Sequence, residues 1–162
     1  MLSACGMIGW DFLDPEVSTY ENFFDLAVSL KLSPSQLDQL FKMMVFNVVF
    51  FNTDDRLKKH SFLYDPSSDR WRLSPAYYLT YSLNPLLRVT KTSRALSINQ
   101  KRSDINLQNI LSLAERYSIK HALRTLSIVQ LKSWAELARR LGVEENVIAG
   151  IRRDFKVLIS SN

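Results

Sequence analysis

The sequence predicts a mainly α-helical domain carrying one small β-hairpin. Three observations lead there. Only four residues are glycine, at Gly6, Gly9, Gly142 and Gly150, which argues against a glycine-rich phosphate-cradling loop and favours helix. Apolar residues recur at helical spacing through several stretches. Two short aromatic-containing runs flank a turn-forming segment, the pattern of a hairpin.

The elements follow in chain order. Residues 1–17 show no clear period and read as an extended lead-in. Ser18 with Glu21 has capping-box spacing, and Tyr20, Phe23, Phe24, Ala27 and Leu30 then form a helical stripe. Ser33, Pro34 and Gln36 give a second start signal, with Pro at the first helical position, where its missing N–H costs nothing. Leu37, Leu40, Phe41, Met44, Val45 and Val48 make the core face of this central helix. Phe46, Val49 and Phe50 add a second face, so its C-terminal half is expected to be buried all round. The helix then breaks into Asn52-Thr53-Asp54-Asp55-Arg56-Leu57-Lys58-Lys59-His60 with no Gly or Pro at the break.

Ser61–Tyr64 and Arg70–Leu73 flank Asp65-Pro66-Ser67-Ser68-Asp69 and form the hairpin. Residues 79–103 have no strong period and are expected to be a long loop with short helical pieces. From Asn106 helices return: Leu107, Ile110, Leu111 and Ala114, then a stripe from Ile119 to Leu141, then Val147 to Leu158, with Gly142 placed as a helix-stopping C′ residue. One domain is expected, divided into 1–17 (lead-in), 18–60 (helices and the polar break), 61–78 (hairpin and following segment), 79–105 (basic loop) and 106–162 (helical bundle).

Composition bounds the function. The 162 residues are 46% apolar, enough to bury a core. Cys5 stands alone, so no internal disulfide forms and a reducing cytoplasm is the default. No base precedes Lys31, which excludes a secretory n-region, and the apolar run Met43–Phe51 is too short to cross a bilayer. The net charge of +5 is uneven: residues 1–30 carry five acids and no base, whereas Arg70, Arg72, Arg88, Lys91, Arg94, Lys101 and Arg102 fall between Asp69 and Asp104 with no acid among them. That segment reads as either a solvated basic loop or a surface for phosphate, nucleic acid or an acidic partner.

The polar break holds the candidate chemistry. Asp54 and Asp55 are adjacent and point different ways, so they cannot share a proton. One aspartate near Lys58 or Lys59 fits phosphoryl transfer, where a carboxylate accepts a hydroxyl proton and a cation neutralises phosphate. The bland alternative is a helix end whose Lys and His suit the dipole and whose aspartates cap the next turn.

Asn52-Thr53-Asp54-Asp55, Ser61-Phe62-Leu63-Tyr64-Asp65, Trp71-Arg72-Leu73-Ser74-Pro75-Ala76-Tyr77 and Ala95 to Ile105 together resemble the HipA-like serine/threonine kinases, toxins of bacterial toxin–antitoxin modules. The resemblance covers nearly the whole chain. It implies a kinase C-lobe-like helical domain, a parent reaction using ATP and Mg2+, and a DNA-binding HipB-like antitoxin as partner. Asp54 falls at the catalytic aspartate, with Asn52, Asp55 and Lys59 expected beside the nucleotide.

Three departures accompany it. Arg56 stands where the family reads His. Lys59 and Tyr78 occupy the two positions where the family places its metal ligands, an Asn and an Asp, and a charged Lys has no lone pair for a metal. The strand lysine and phosphate-covering loop of a kinase N-lobe are not found in these residues. The expectation is a C-terminal lobe alone, from a shortened or split reading frame, without autonomous kinase activity, and with a separate N-lobe protein as the alternative partner to the antitoxin.

Glu136 to Ile151 also has helix-turn-helix spacing, with Ala138, Gly142 and Ile148 at the small, turn and apolar positions. The same spacing suits any packed helical hairpin, and Glu144 and Glu145 would bring the wrong charge to DNA. His60 and His121 are too far apart in sequence to suggest zinc, and Trp134 reads as core. Three classes therefore stay open: a degenerate or split kinase, a non-catalytic partner-binding module, and a small DNA-binding protein.

Overall fold

The computed structural model describes residues 1–11, 13–84, 89, 90, 93–129 and 133–158. Among them are seven helices and a three-stranded antiparallel sheet whose strands lie in chain order. The sheet is β1 (Leu2–Ser3), β2 (Ser61–Asp65) and β3 (Arg70–Leu73). Its register sets Phe62 opposite both Leu2 and Leu73, and Tyr64 opposite Trp71, whose rings lie 5.1 Å apart. The expected hairpin is present, and it has gained a third strand from the N-terminus.

The lead-in is therefore not extended throughout. Ser3 caps a short helix, α1 (Ala4–Ile8), by accepting the Gly6 N–H, and the Ala4 N–H donates to the His60 carbonyl at 2.8 Å. Ala4 is fully buried. Five helical residues carry too little period to be read from sequence.

Helix α2 (Tyr20–Ser29) starts one residue later than expected: Thr19, not Ser18, is the cap, and its Oγ1 accepts the Asn22 N–H at 2.9 Å. Helix α3 (Pro34–Val49) starts at Ser33 with Pro at its first position. It packs on α2, on β3 and on α5 (Ala122–Val129), which in turn meets α4 (Leu107–Arg116). Tyr20, Phe23, Phe24, Leu40, Phe41, Met44, Phe62, Leu96, Ile110 and Leu113 are fully buried. Burying each such large apolar side chain contributes about 1.5–3 kcal/mol. A smaller cluster of Ala135, Ala138 and Ile148 joins α6 (Ser133–Arg140) to α7 (Glu145–Asp154).

Glycine scarcity leaves a mark on the helix ends. Four helices close with the N–H two residues past the cap bonded back to the third residue from the end. The pairs are Leu32 to Ala27, Asn52 to Asn47, Ile119 to Ala114 and Val143 to Ala138. That closure needs a left-handed residue, usually glycine. Only α6 supplies one, Gly142 at φ 80°; the others use Lys31, Phe51 and Ser118 at φ 55–57°. Phe51 thus explains how α3 breaks without Gly or Pro, at a cost of about 1–2 kcal/mol for an L residue.

Beyond the sheet, β4 (Leu83–Asn84) pairs with β5 (Val89–Thr90). The described part of 79–103 contains no helix, contrary to expectation. Instead Ser97 bridges Thr19, and Leu96 and Ile98 insert into the core.

Candidate functional site

Residues 52–56 follow the end of α3 outside any helix or strand and are held on both sides. Ser82 Oγ accepts the Thr53 N–H at 3.0 Å, the Ser82 N–H donates to the Phe51 carbonyl at 3.2 Å, and the Ala95 N–H donates to the Thr53 carbonyl at 2.8 Å. The two aspartates part here, one side chain toward the core and the other toward solvent.

Asp55 turns inward and is 1% exposed. Its Oδ2 accepts the Tyr20 hydroxyl at 2.8 Å and Arg94 Nη2 at 2.9 Å; its Oδ1 accepts the Leu96 N–H at 3.2 Å. Arg94 Nη2 also donates to the Asn52 carbonyl at 3.2 Å. The network continues from Asn47 Nδ2 to the Tyr20 hydroxyl (3.0 Å), from Asn52 Nδ2 to Asn47 Oδ1 (2.9 Å) and to the Tyr78 carbonyl (3.1 Å). Burial, then the Asp55 charge, pushes the Tyr20 phenol well up from its ordinary range. A buried charge survives only when paired and hydrogen-bonded, and Asp55 meets both conditions.

Asp54 turns outward, with its side chain 44% exposed. Oδ1 accepts Arg56 Nε at 2.9 Å, and Oδ2 accepts the Lys59 ammonium. Partial burial raises this carboxyl's pKa, but hydrogen bonds from Lys59 and then Arg56 outweigh it and hold the group below the ordinary carboxylate range. Lys59 lies on the short 3₁₀ turn Leu57–Lys59, and its Nζ sits 3.7 Å from the centroid of the Tyr78 ring.

Of the residues expected beside a nucleotide, Asn52 and Asp55 are placed in the core, where their side chains brace the loop. Only Asp54 and Lys59 reach its outer side. His60 is also buried: its Nε2 lies 3.2 Å from the Asp55 carbonyl oxygen and its ring 4.7 Å from that of Phe23, and burial holds it below 6.5. His121 is exposed.

The basic loop divides as well. Arg70, Arg72 and Lys101 are exposed, but Arg94 is buried on Asp55, and Arg102 donates to the carbonyls of Ala95, Pro15 and Ser18. Arg88 and Lys91 lie outside the described residues. The sequence places Arg94 with the basic loop and gives no sign that it, Tyr20, Asn47 and Ser82 join the aspartate segment. Tyr20 and Asn47 sit inside helical stripes, and Arg94 is 39 residues from its carboxylate.

In the segment with helix-turn-helix spacing, α6 and α7 pack against each other, with Arg139 hydrogen-bonded to both carboxylate oxygens of Glu145. Phe155 then stacks edge-on to Phe50 and to Trp134, each at 4.8 Å, and the Lys156 N–H donates to the Val49 carbonyl at 3.0 Å.

Mg2+ demands several hard oxygen ligands in near-octahedral array. The Asp54 carboxylate oxygens meet a guanidinium and an ammonium, the ammonium lies over the Tyr78 ring, and no group of three or more His, Cys, Asp or Glu is assembled among the described residues. These residues do not fit the ion.

Asp54 thus stands at the outer rim of a loop that Asp55 and Arg94 brace from the core of a mainly helical domain. The model of the HipA-like C-terminal domain matches residues 1–159, and the chain belongs to that family. No curated protein sequence matches it.

Proposed function

We propose that this chain is the C-terminal lobe of a HipA-like toxin kinase and transfers no phosphoryl group on its own. The parent reaction moves a phosphoryl group from ATP to a serine or threonine hydroxyl, and Asp54 is the residue that would orient that hydroxyl. The observation that carries the reading is the state of Asp54. On the sequence resemblance it corresponds to the family's catalytic aspartate, yet both oxygens are taken by cations. A carboxylate held below its ordinary range is a weak proton acceptor at neutral pH, and its neighbours offer no metal site.

The test is transfer of label from γ-labelled ATP with Mg2+ to protein, comparing the native chain with Asp54→Asn. No transfer above the variant is expected. Transfer that Asp54→Asn abolishes would refute the reading.

A second reading, a non-catalytic module for a protein partner such as an antitoxin, is supported by the groove between α3 and β3. It encloses about 690 Å³, is walled by Met43, Phe46, Phe50, Leu73, Pro75 and Leu79, and has Lys42 and Arg72 beside it. Met43→Glu is expected to weaken co-purification with an antitoxin of the HipB-like class; unchanged recovery would count against this use of the groove.

A further inference from the structure

Lys59 and Tyr78, the residues that replace the two metal ligands implied by the family resemblance, touch one another across nineteen positions of sequence. The Lys59 side chain is 12% exposed, and its ammonium is shared between Asp54 Oδ2 and the Tyr78 ring face. A lysine this withdrawn from water needs partners that favour its charge, and a carboxylate with an aromatic face provides both.

Tyr78 is held for that contact. Its backbone is left-handed at φ 58°, a conformation a bulky residue adopts only where its surroundings fix it. The fixing bond is the donation from Asn52 Nδ2 to the Tyr78 carbonyl at 3.1 Å. Asn52 in turn belongs to the network of Asn47, Tyr20, Asp55 and Arg94. The two substitutions therefore form one arrangement, tied to the core by the same residues that hold the aspartate loop.

We propose that the Lys59 ammonium is the resident cation of this site, standing in the place of a divalent ion and holding Asp54 in position without metal. A divalent ion approaching Asp54 meets a fixed positive charge on each carboxylate oxygen, from Arg56 and from Lys59. The inference rests on the family reading for the location of the metal positions.

Titration of Mn2+ into the full chain, followed by the loss of the free-ion paramagnetic resonance signal, tests it. The native chain is expected to take up no Mn2+, and its thermal midpoint should not respond to EDTA or to millimolar Mg2+. Lys59→Asn with Tyr78→Asp is expected to bind Mn2+, and adding Asp54→Asn should abolish that binding. Uptake of Mn2+ by the native chain that Asp54→Asn removes would overturn the proposal. So would a folded double variant, checked by circular dichroism, that binds none. If the double variant does not fold, Lys59→Asn alone decides: Mn2+ uptake supports the proposal, and none in folded protein overturns it. A chain that binds no Mn2+ but phosphorylates would sink the functional reading and leave the resident cation standing. One that binds Mn2+ and does not phosphorylate would do the reverse.

Discussion

Asp54 and Asp55 are consecutive residues whose carboxylates brace opposite sides of one loop. Asp55 meets Arg94 at 2.9 Å inside the core, and Asp54 meets Arg56 and Lys59 at the rim. The inner aspartate sets the backbone that aims the outer one, so disturbing the first is predicted to be a folding defect and disturbing the second a local change.

Arg94→Met leaves the Asp55 charge buried without its partner. A loss of about 3–5 kcal/mol is expected, read from the urea midpoint. Adding Asp55→Asn should recover part of it, because the unpaired charge is then gone. Asp54→Asn, at a partly exposed site, should change stability by much less.

The long-range half of this arrangement was hidden from the sequence for a physical reason. Periodicity reports which face of an element is apolar, and it found α3, the hairpin and the helices after Asn106. It cannot report that a lone arginine in an aperiodic segment folds back on a carboxylate, so Arg94 and Arg102 were read with the basic loop. Adjacency alone dictates that Asp54 and Asp55 point different ways, but not which of them is buried, and Asp55, expected beside the nucleotide, is the inner one. The caps were legible to within a residue, since Ser18 and Thr19 are chemically equivalent candidates.

Helix ends give an opposite pair of predictions. Ser118 is left-handed at the end of α4, and Gly142 is left-handed at the end of α6. Ser118→Gly should raise stability by about 0.5–1 kcal/mol, and Gly142→Ala should lower it by about 1 kcal/mol. Thermal midpoints of the two variants, moving in opposite directions, check this.

His60 makes stability depend on pH. Its folded pKa lies below the ordinary 6.5 because burial disfavours the imidazolium, with the nearby Asp55 charge opposing. The unfolded chain thus binds this proton more readily. The contribution is fully present above pH 6.5 and is lost as pH falls from there through the folded pKa. Denaturant midpoints should fall across that window in the native chain, and His60→Gln should flatten the fall.

Phe155 fastens the C-terminal hairpin to the end of α3 through Phe50 and Trp134. Phe155→Ala is expected to speed amide exchange in α6 and α7 while protection in α2 and α3 persists. Uniform loss of protection would place Phe155 in the main core instead.

On the reading proposed above, the Lys59 ammonium stands where the family resemblance puts a metal ion. Nitrogen–proton correlation spectroscopy of the lysine ammonium groups tests it most directly. A slowly exchanging Lys59 signal is expected, shifted upfield by the Tyr78 ring, absent in Asp54→Asn and unmoved by millimolar Mg2+. A Lys59 ammonium that exchanges like a surface lysine, or that Mg2+ displaces, would contradict it.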